Sequence, residues 1–135
     1  MNTELELDDL HRAIKHGDLP AVRHHLDRGG DVHSIDRNGW SLLLLADGEG
    51  NTPIIRLLLD AGADVNQTWS NWYSPLVAAA MAGSMKAVKV LLQRGAKTAI
   101  DGKSISDLLP VWGYDDPKIR QLISDAHAGS RLTSA

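Results

Sequence analysis

A chain of 135 residues, 43% of them hydrophobic and 23% charged, has the composition of one globular domain with a modest core. Its net charge of −3, with no run of Lys or Arg longer than two, argues against a basic face for nucleic acid or for an anionic membrane surface. There is no cysteine, and so no disulfide and no thiol chemistry.

The N-terminal stretch MNTELELDDL is acidic and lacks an apolar run, so no secretory signal is expected, and the longest apolar stretch, LLLLA at 42–46, is far too short to cross a bilayer. A cytoplasmic address is the default expectation. From Leu10 onward the chain repeats itself with a period of 33: Gly17, Gly50 and Gly83 fall in step, as do Gly29, Gly62 and Gly95, Leu10, Leu43 and Leu76, and Ala13, Ala46 and Ala79. Val22, Ile55 and Val88 repeat, followed four residues later by Leu26, Leu59 and Leu92. Each unit reads as two short helices. The first begins after Asp8, Ser41 or Ser74 and the second after Asp18, Asn51 or Ser84, all side chains that cap a helix N-terminus. Pro20 and Pro53 sit in the first turn of the second helix, where a missing N–H does no harm, and Gly29, Gly62 and Gly95 stop it. Helical spacing predicts a buried face through Ile55, Leu58 and Leu59, with Leu59 and Leu92 buried between units. The linker GADVNQTWSNWYS is too long for a tight helix hairpin and is read as a two-stranded finger. A fourth, degenerate unit follows, with a cap at Ser104, an apolar set at Ile119, Leu122 and Ile123, and a shorter finger before it. Terminal units need a polar outer face, so the first and fourth are read as caps, and the polar stretch 128–135 as a frayed tail.

These residues carry a resemblance. Unit two, DRNGWSLLLLADGEGNTPIIRLLLDAGADVN, and unit three, YSPLVAAAMAGSMKAVKVLLQRGAK, are similar to the ankyrin repeat family, and LLLDAGADVN is highly specific to it. The family's TPLH tetrad survives only as SPLV in unit three and SLLL in unit two. The resemblance implies an all-α repeat solenoid of about four helix-turn-helix units with β-hairpin fingers, a single domain over 1–127 with approximate repeats at 5–37, 38–70, 71–100 and 101–125, and the polar tail at 128–135. Asp47 stands where the family usually has Ala, which implies a partly buried polar group.

The chain has four Trp, two Tyr and no Phe, and Trp69, Trp72 and Tyr73 crowd a turn. Trp40 and Tyr73 are 33 apart and occupy the same site in neighbouring units, which in the family pattern is variable and lines the concave surface. Trp72 replaces the turn glycine represented by Gly39, so the second finger is expected to depart from the family's backbone, because a bulky residue resists a positive φ. By analogy Trp112 lies on the same side. Residues ending each inner helix vary as specificity positions do: Lys15 and His16, Gly48 and Glu49, Met81 and Ala82, Val111 and Trp112. With the finger residues Arg37, Asn38 and Asn71, the candidate partner-binding set is Lys15, His16, Arg37, Asn38, Trp40, Glu49, Trp69, Asn71, Trp72, Tyr73, Met81 and Trp112. Trp and Tyr are enriched among binding hot spots. The alternative is that the same rings staple adjacent fingers to each other, and the two roles are compatible.

No residues suggest chemistry. The six histidines include no pair at a convincing ligand spacing, so no metal is expected. DGKS at 101–104 lacks the earlier glycine of a phosphate loop, DGEGN at 47–51 is too short for a calcium loop, and Asn66-Gln67-Thr68 matters as a glycosylation triplet only in a secreted chain. No nucleophile and base can be paired, so no catalytic residue, no cofactor and no enzymatic activity are expected. A chain with no other domain is expected to block, bridge or tether. Small stand-alone ankyrin chains resemble immunity proteins that neutralise a co-encoded toxin, which implies an inhibitor of a cognate toxin or enzyme, acting as a monomer or in a heterocomplex. An adaptor subunit, needing a second adhesive surface, is the alternative, and an unrecognised enzyme the third.

Overall fold

The structure, a computed structural model, describes residues 3–133 and the side chains of residues 9–129. Its helices come in pairs: α1 (Thr3–Lys15) with α2 (Leu19–Asp27), α3 (Leu42–Gly48) with α4 (Thr52–Asp60), α5 (Pro75–Met81) with α6 (Met85–Gln93), and α7 (Ile105–Val111) with α8 (Pro117–Thr133). An inner row stacks α1 on α3, α5 and α7 in turn, and an outer row stacks α2, α4, α6 and α8 in the same order. Among the described residues no helix is long and apolar enough to cross a membrane.

Side chains start most of these helices. Ser41 Oγ accepts from Leu44 N, Asn51 Oδ1 from Ile54 N, Ser74 Oγ from Val77 N and Ser84 Oγ from Ala87 N, each at 3.1–3.3 Å, so each satisfies an N–H that has no partner within its helix. Two helix limits differ from expectation. α1 begins at Thr3, so Asp8 lies inside it instead of capping it. The expected tail from residue 128 is helical to Thr133. Gln121 donates to Asp125 along the helix at 2.8 Å, and His127 Nδ1 lies 2.9 Å from the Thr98 hydroxyl, which holds α8 against the preceding unit. Residues 1–2 of the expected domain and 134–135 of the expected tail lie outside the described residues.

The core is one cluster running through all four pairs. α3 and α5 sit inside the inner row and are buried from Leu42 to Asp47 and from Pro75 to Ala80. Outer helices bury one face, through Val22, Ile55 and Leu58, Val88 and Leu91, and Ile119 and Ile123. Full burial of each such aliphatic side chain contributes about 1.5–3 kcal/mol. Leu59 and Leu92 were expected in this seam but are half-buried at its edge, and Leu58 and Leu91 fill it with 0% exposure. Both i+3 and i+4 from Ile55 satisfy helical spacing, so a run of three leucines leaves the register open until the neighbouring helix closes it.

The fingers are smaller than two-stranded hairpins. The first is closed by a single bridge, Ile35 with Ser41, and the second by Trp69 with Tyr73. Backbone donors in this region are taken by carboxylates instead of by a facing strand: Asp31 Oδ1 accepts from His33 N at 2.9 Å, and Asp64 Oδ1 from Asn66 N at 2.9 Å. The third connection does form a pair, β1 (Ala99–Ile100) with β2 (Lys103–Ser104). Its two-residue loop has Asp101 at φ 50° and Gly102 at φ 80°, the left-handed pair that matches the twist of a hairpin.

Candidate functional site

In the first finger the Asp36 carboxylate accepts from the backbone N of Asn38 at 2.8 Å and of Trp40 at 2.9 Å, and the turn is completed by Gly39 at φ 83°. One period later, Trp69 stands at the position of Asp36 and Trp72 at that of Gly39. The closing hydrogen bond survives, from Trp69 N to Tyr73 O at 2.9 Å, in register with Asp36 N to Trp40 O at 2.9 Å. The left-handed residue, however, moves two places back to Ser70 at φ 59°, so Trp72 escapes the conformation that its side chain disfavours. The Trp69 ring crosses to the first finger. Its Nε1 donates to Asn38 O at 2.8 Å, and the ring lies 3.4 Å from where a Cβ on Gly39 would stand.

From this crossing an aromatic array runs along the molecule. Trp40 packs on Trp69 with centroids 6.0 Å apart and on Tyr73 at 5.6 Å, and Trp69 meets Tyr73 edge-on at 6.3 Å. Tyr73 meets Trp72 edge-on at 5.3 Å, and Trp72 packs on Trp112 at 5.2 Å. These are the tilted and edge-to-face contacts that aromatic quadrupoles prefer. Trp112 is the C-cap of α7, whereas Trp72 belongs to the finger that leads into the start of α5. Their contact therefore lays Trp72 along the inner row instead of at the finger tip. Trp40, Tyr73 and Trp112 are half-buried against the core, while Trp69 and Trp72 each remain 39% exposed.

Two electrostatic features flank the array. At the first unit, His11, Arg12, Lys15, His16, Asp36, Arg37 and Asn38 line an open cavity of about 320 Å³ with a basic wall. In the middle of the inner row lies Asp47, with 0% exposure and no hydrogen-bond partner for either carboxylate oxygen. Burial pushes its pKa well above the ordinary carboxylate range. Tyr73 is also raised, first by burial, then by the Asp47 charge and by Tyr114, so the phenol and this carboxyl are electrostatic neighbours.

Residues 10–101 match the sequence profile of ankyrin repeats in three copies. The chain belongs to the ankyrin repeat family. Ankyrin repeats are protein–protein interaction modules, in general without enzymatic activity. The matched span takes in α2 to α6, the C-terminal part of α1 from Leu10, and β1, and it stops short of α7 and α8. Comparison with curated proteins returned no match.

Against this ankyrin frame the twelve candidate positions separate. Trp40, Trp69, Trp72, Tyr73 and Trp112 come together as the array. Lys15, His16, Arg37 and Asn38 share the basic cavity. Glu49 is the exposed C-cap of α3, Asn71 is exposed on the second finger, and Met81 is half-buried against the core at the end of α5. Two residues were not among the candidates. Tyr114 is 41% exposed and contributes to raising the Tyr73 pKa; it stands 33 residues after Met81, but α7 begins only 30 residues after α5, so the end of the fourth inner helix falls at Val111 and Trp112 and leaves Tyr114 beyond it. Asp47 is wholly buried instead of partly so, and the acid at an alanine position was the signal for it.

Proposed function

We propose that this ankyrin chain is a non-enzymatic binding module that holds one partner protein on the finger-side, concave face of its inner row and acts as an inhibitor or immunity protein for a cognate toxin or enzyme. The aromatic array carries this reading. Rings that only stapled the fingers would be covered, yet Trp69 and Trp72 keep 39% of their surface open while sharing contacts with half-buried neighbours. Wide rings held rigid by one another lose little entropy on binding, which is what an interface hot spot requires. The basic cavity beside them extends the contact surface toward the first unit. On the outer row Arg23, Lys86 and Lys89 are exposed, a solvated face that suits one partner better than the two an adaptor joins. A cytoplasmic address accompanies this reading.

The test is to isolate the partner from the native source, identify it, and titrate it with the purified chain. Stoichiometric loss of the partner's activity, weakened by Trp72→Ala, is the expected result. Binding without any effect on that activity would return the adaptor reading, and binding indifferent to Trp69→Ala and Trp72→Ala would move the contact surface elsewhere.

A further inference from the structure

The Asp47 carboxyl makes no hydrogen bond that would help to build the fold. The residue one period later, at the same place in α5, is Ala80, which is buried and does the packing alone. A carboxyl in that slot loses its hydration and receives nothing in return, since both oxygens are unpartnered. Buried polar atoms without partners are rare because each one costs stability, so a group kept in this condition calls for an explanation outside the free molecule. α3 and α5, sequences LLLLADG and PLVAAAM, contain no basic residue, and α1, which packs on α3 and carries His11, Arg12 and Lys15, gives the carboxylate no hydrogen bond.

The aromatic array reaches Asp47 through Tyr73. Tyr73 lies close enough to feel its charge, and Tyr73 is itself in ring contact with Trp40, Trp69 and Trp72. Aromatic faces attract cations, most strongly where water is excluded. The next residue, Gly48, is exposed, and a Cβ there would meet nothing within 4 Å, so the helix surface beside Asp47 is bare. Glu49 follows, exposed at the C-cap, and adds a second acid at the helix end whose dipole also favours positive charge. A buried acid without a partner, a set of rings and a bare approach all complement the same chemical class.

We propose that Asp47 with Tyr73 and Trp40 forms a receptor for a single basic side chain, an arginine or lysine, of the partner protein. The inference rests on reading the aromatic face as the contact surface and adds the chemistry of its central contact. The incoming stem displaces a ring, lies among the aromatic faces and brings its charge to the carboxylate. Asp47 is covered in the free chain and has to be uncovered on binding; Trp40 and Tyr73, on finger backbone outside the helices, are the rings proposed to give way.

The probe is ethylguanidinium at constant ionic strength, with ethylurea as its uncharged isostere, each titrated into the full chain and followed by the indole N–H signals in NMR spectra. Ethylguanidinium should shift the Trp40 and Trp72 signals saturably with a millimolar Kd, ethylurea should not, and Asp47→Asn and Asp47→Ala should each weaken the response by about tenfold or more. Asp47→Ala copies the residue at the equivalent place in α5, and Asp47→Asn retains the volume, so at least one folded variant reports. Equal binding by either folded variant, equal binding of ethylurea, or no saturable shift would overturn the receptor. If partner binding is still lost in Trp72→Ala after such a failure, the contact surface stands and only its central contact falls.

Discussion

Asp47 gives the protein's stability a dependence on pH. Its folded pKa is raised, so the folded state keeps a proton that the unfolded chain releases above its ordinary value of 3.8. Stability from this site is complete in acid below that value and declines as pH rises toward the folded pKa. Asp47→Ala should therefore raise the melting temperature at pH 7 by a few degrees, on the order of 1 kcal/mol or more, and the gain should shrink when the melts are repeated near pH 4. A gain that is constant with pH would mean that the carboxyl is not the source of the cost. Trp72 makes a contrasting residue-scale prediction. Its ring contacts are with Tyr73 and Trp112, near the surface, so Trp72→Ala should cost about 1 kcal/mol of stability but about 2 kcal/mol or more of partner binding. Arg23→Ala and Lys89→Ala, on the exposed outer face, should leave both within about 0.5 kcal/mol. Paired melts and titrations of the three variants separate these outcomes.

At the scale of the element, the helix starts were readable because a cap is a local device: Ser41, Asn51, Ser74 and Ser84 each bond a backbone N–H three residues ahead. Burial was less readable because it depends on a neighbour. Leu58→Ala should cost about 2–5 kcal/mol in chemical denaturation, and Leu59→Ala distinctly less, since Leu59 leaves a smaller hole at the edge of the seam. Equal losses would put the seam one residue further round the helix. The array was only half legible. Trp40 and Tyr73 share a register, but the arrival of Trp112 depends on how α7 stacks, which no local pattern contains. Asp101-Gly102 is a two-residue hairpin signature that also falls within the partial phosphate-loop match DGKS. Gly102→Ala, forced to φ 80°, should destabilise by about 1 kcal/mol. No loss in a melt would show that the turn adopts another form.

Across the whole molecule, units are joined by more than apolar stacking. Arg94 pairs with Asp60 at 2.7 Å across adjacent outer helices, and Asn66 Oδ1 accepts from Lys97 N at 2.8 Å from the next unit. Stability in a stack of this kind is a sum of unit and interface terms, and a chain of four pairs with one continuous core should unfold in a single step. Leu91→Ala, in the third pair, should shift that entire step and not split off a partial one, as read by far-ultraviolet circular dichroism. The array has a further consequence for such measurements. All four tryptophans of the chain belong to it and none stands on the outer row, so intrinsic emission observes only one side of the protein. Rings at this spacing share their excitation, and fluorescence becomes a light meter fixed over the groove while dichroism counts helix everywhere. The two curves should coincide for the parent chain and part company in any variant that loosens the fingers and leaves the helices stacked.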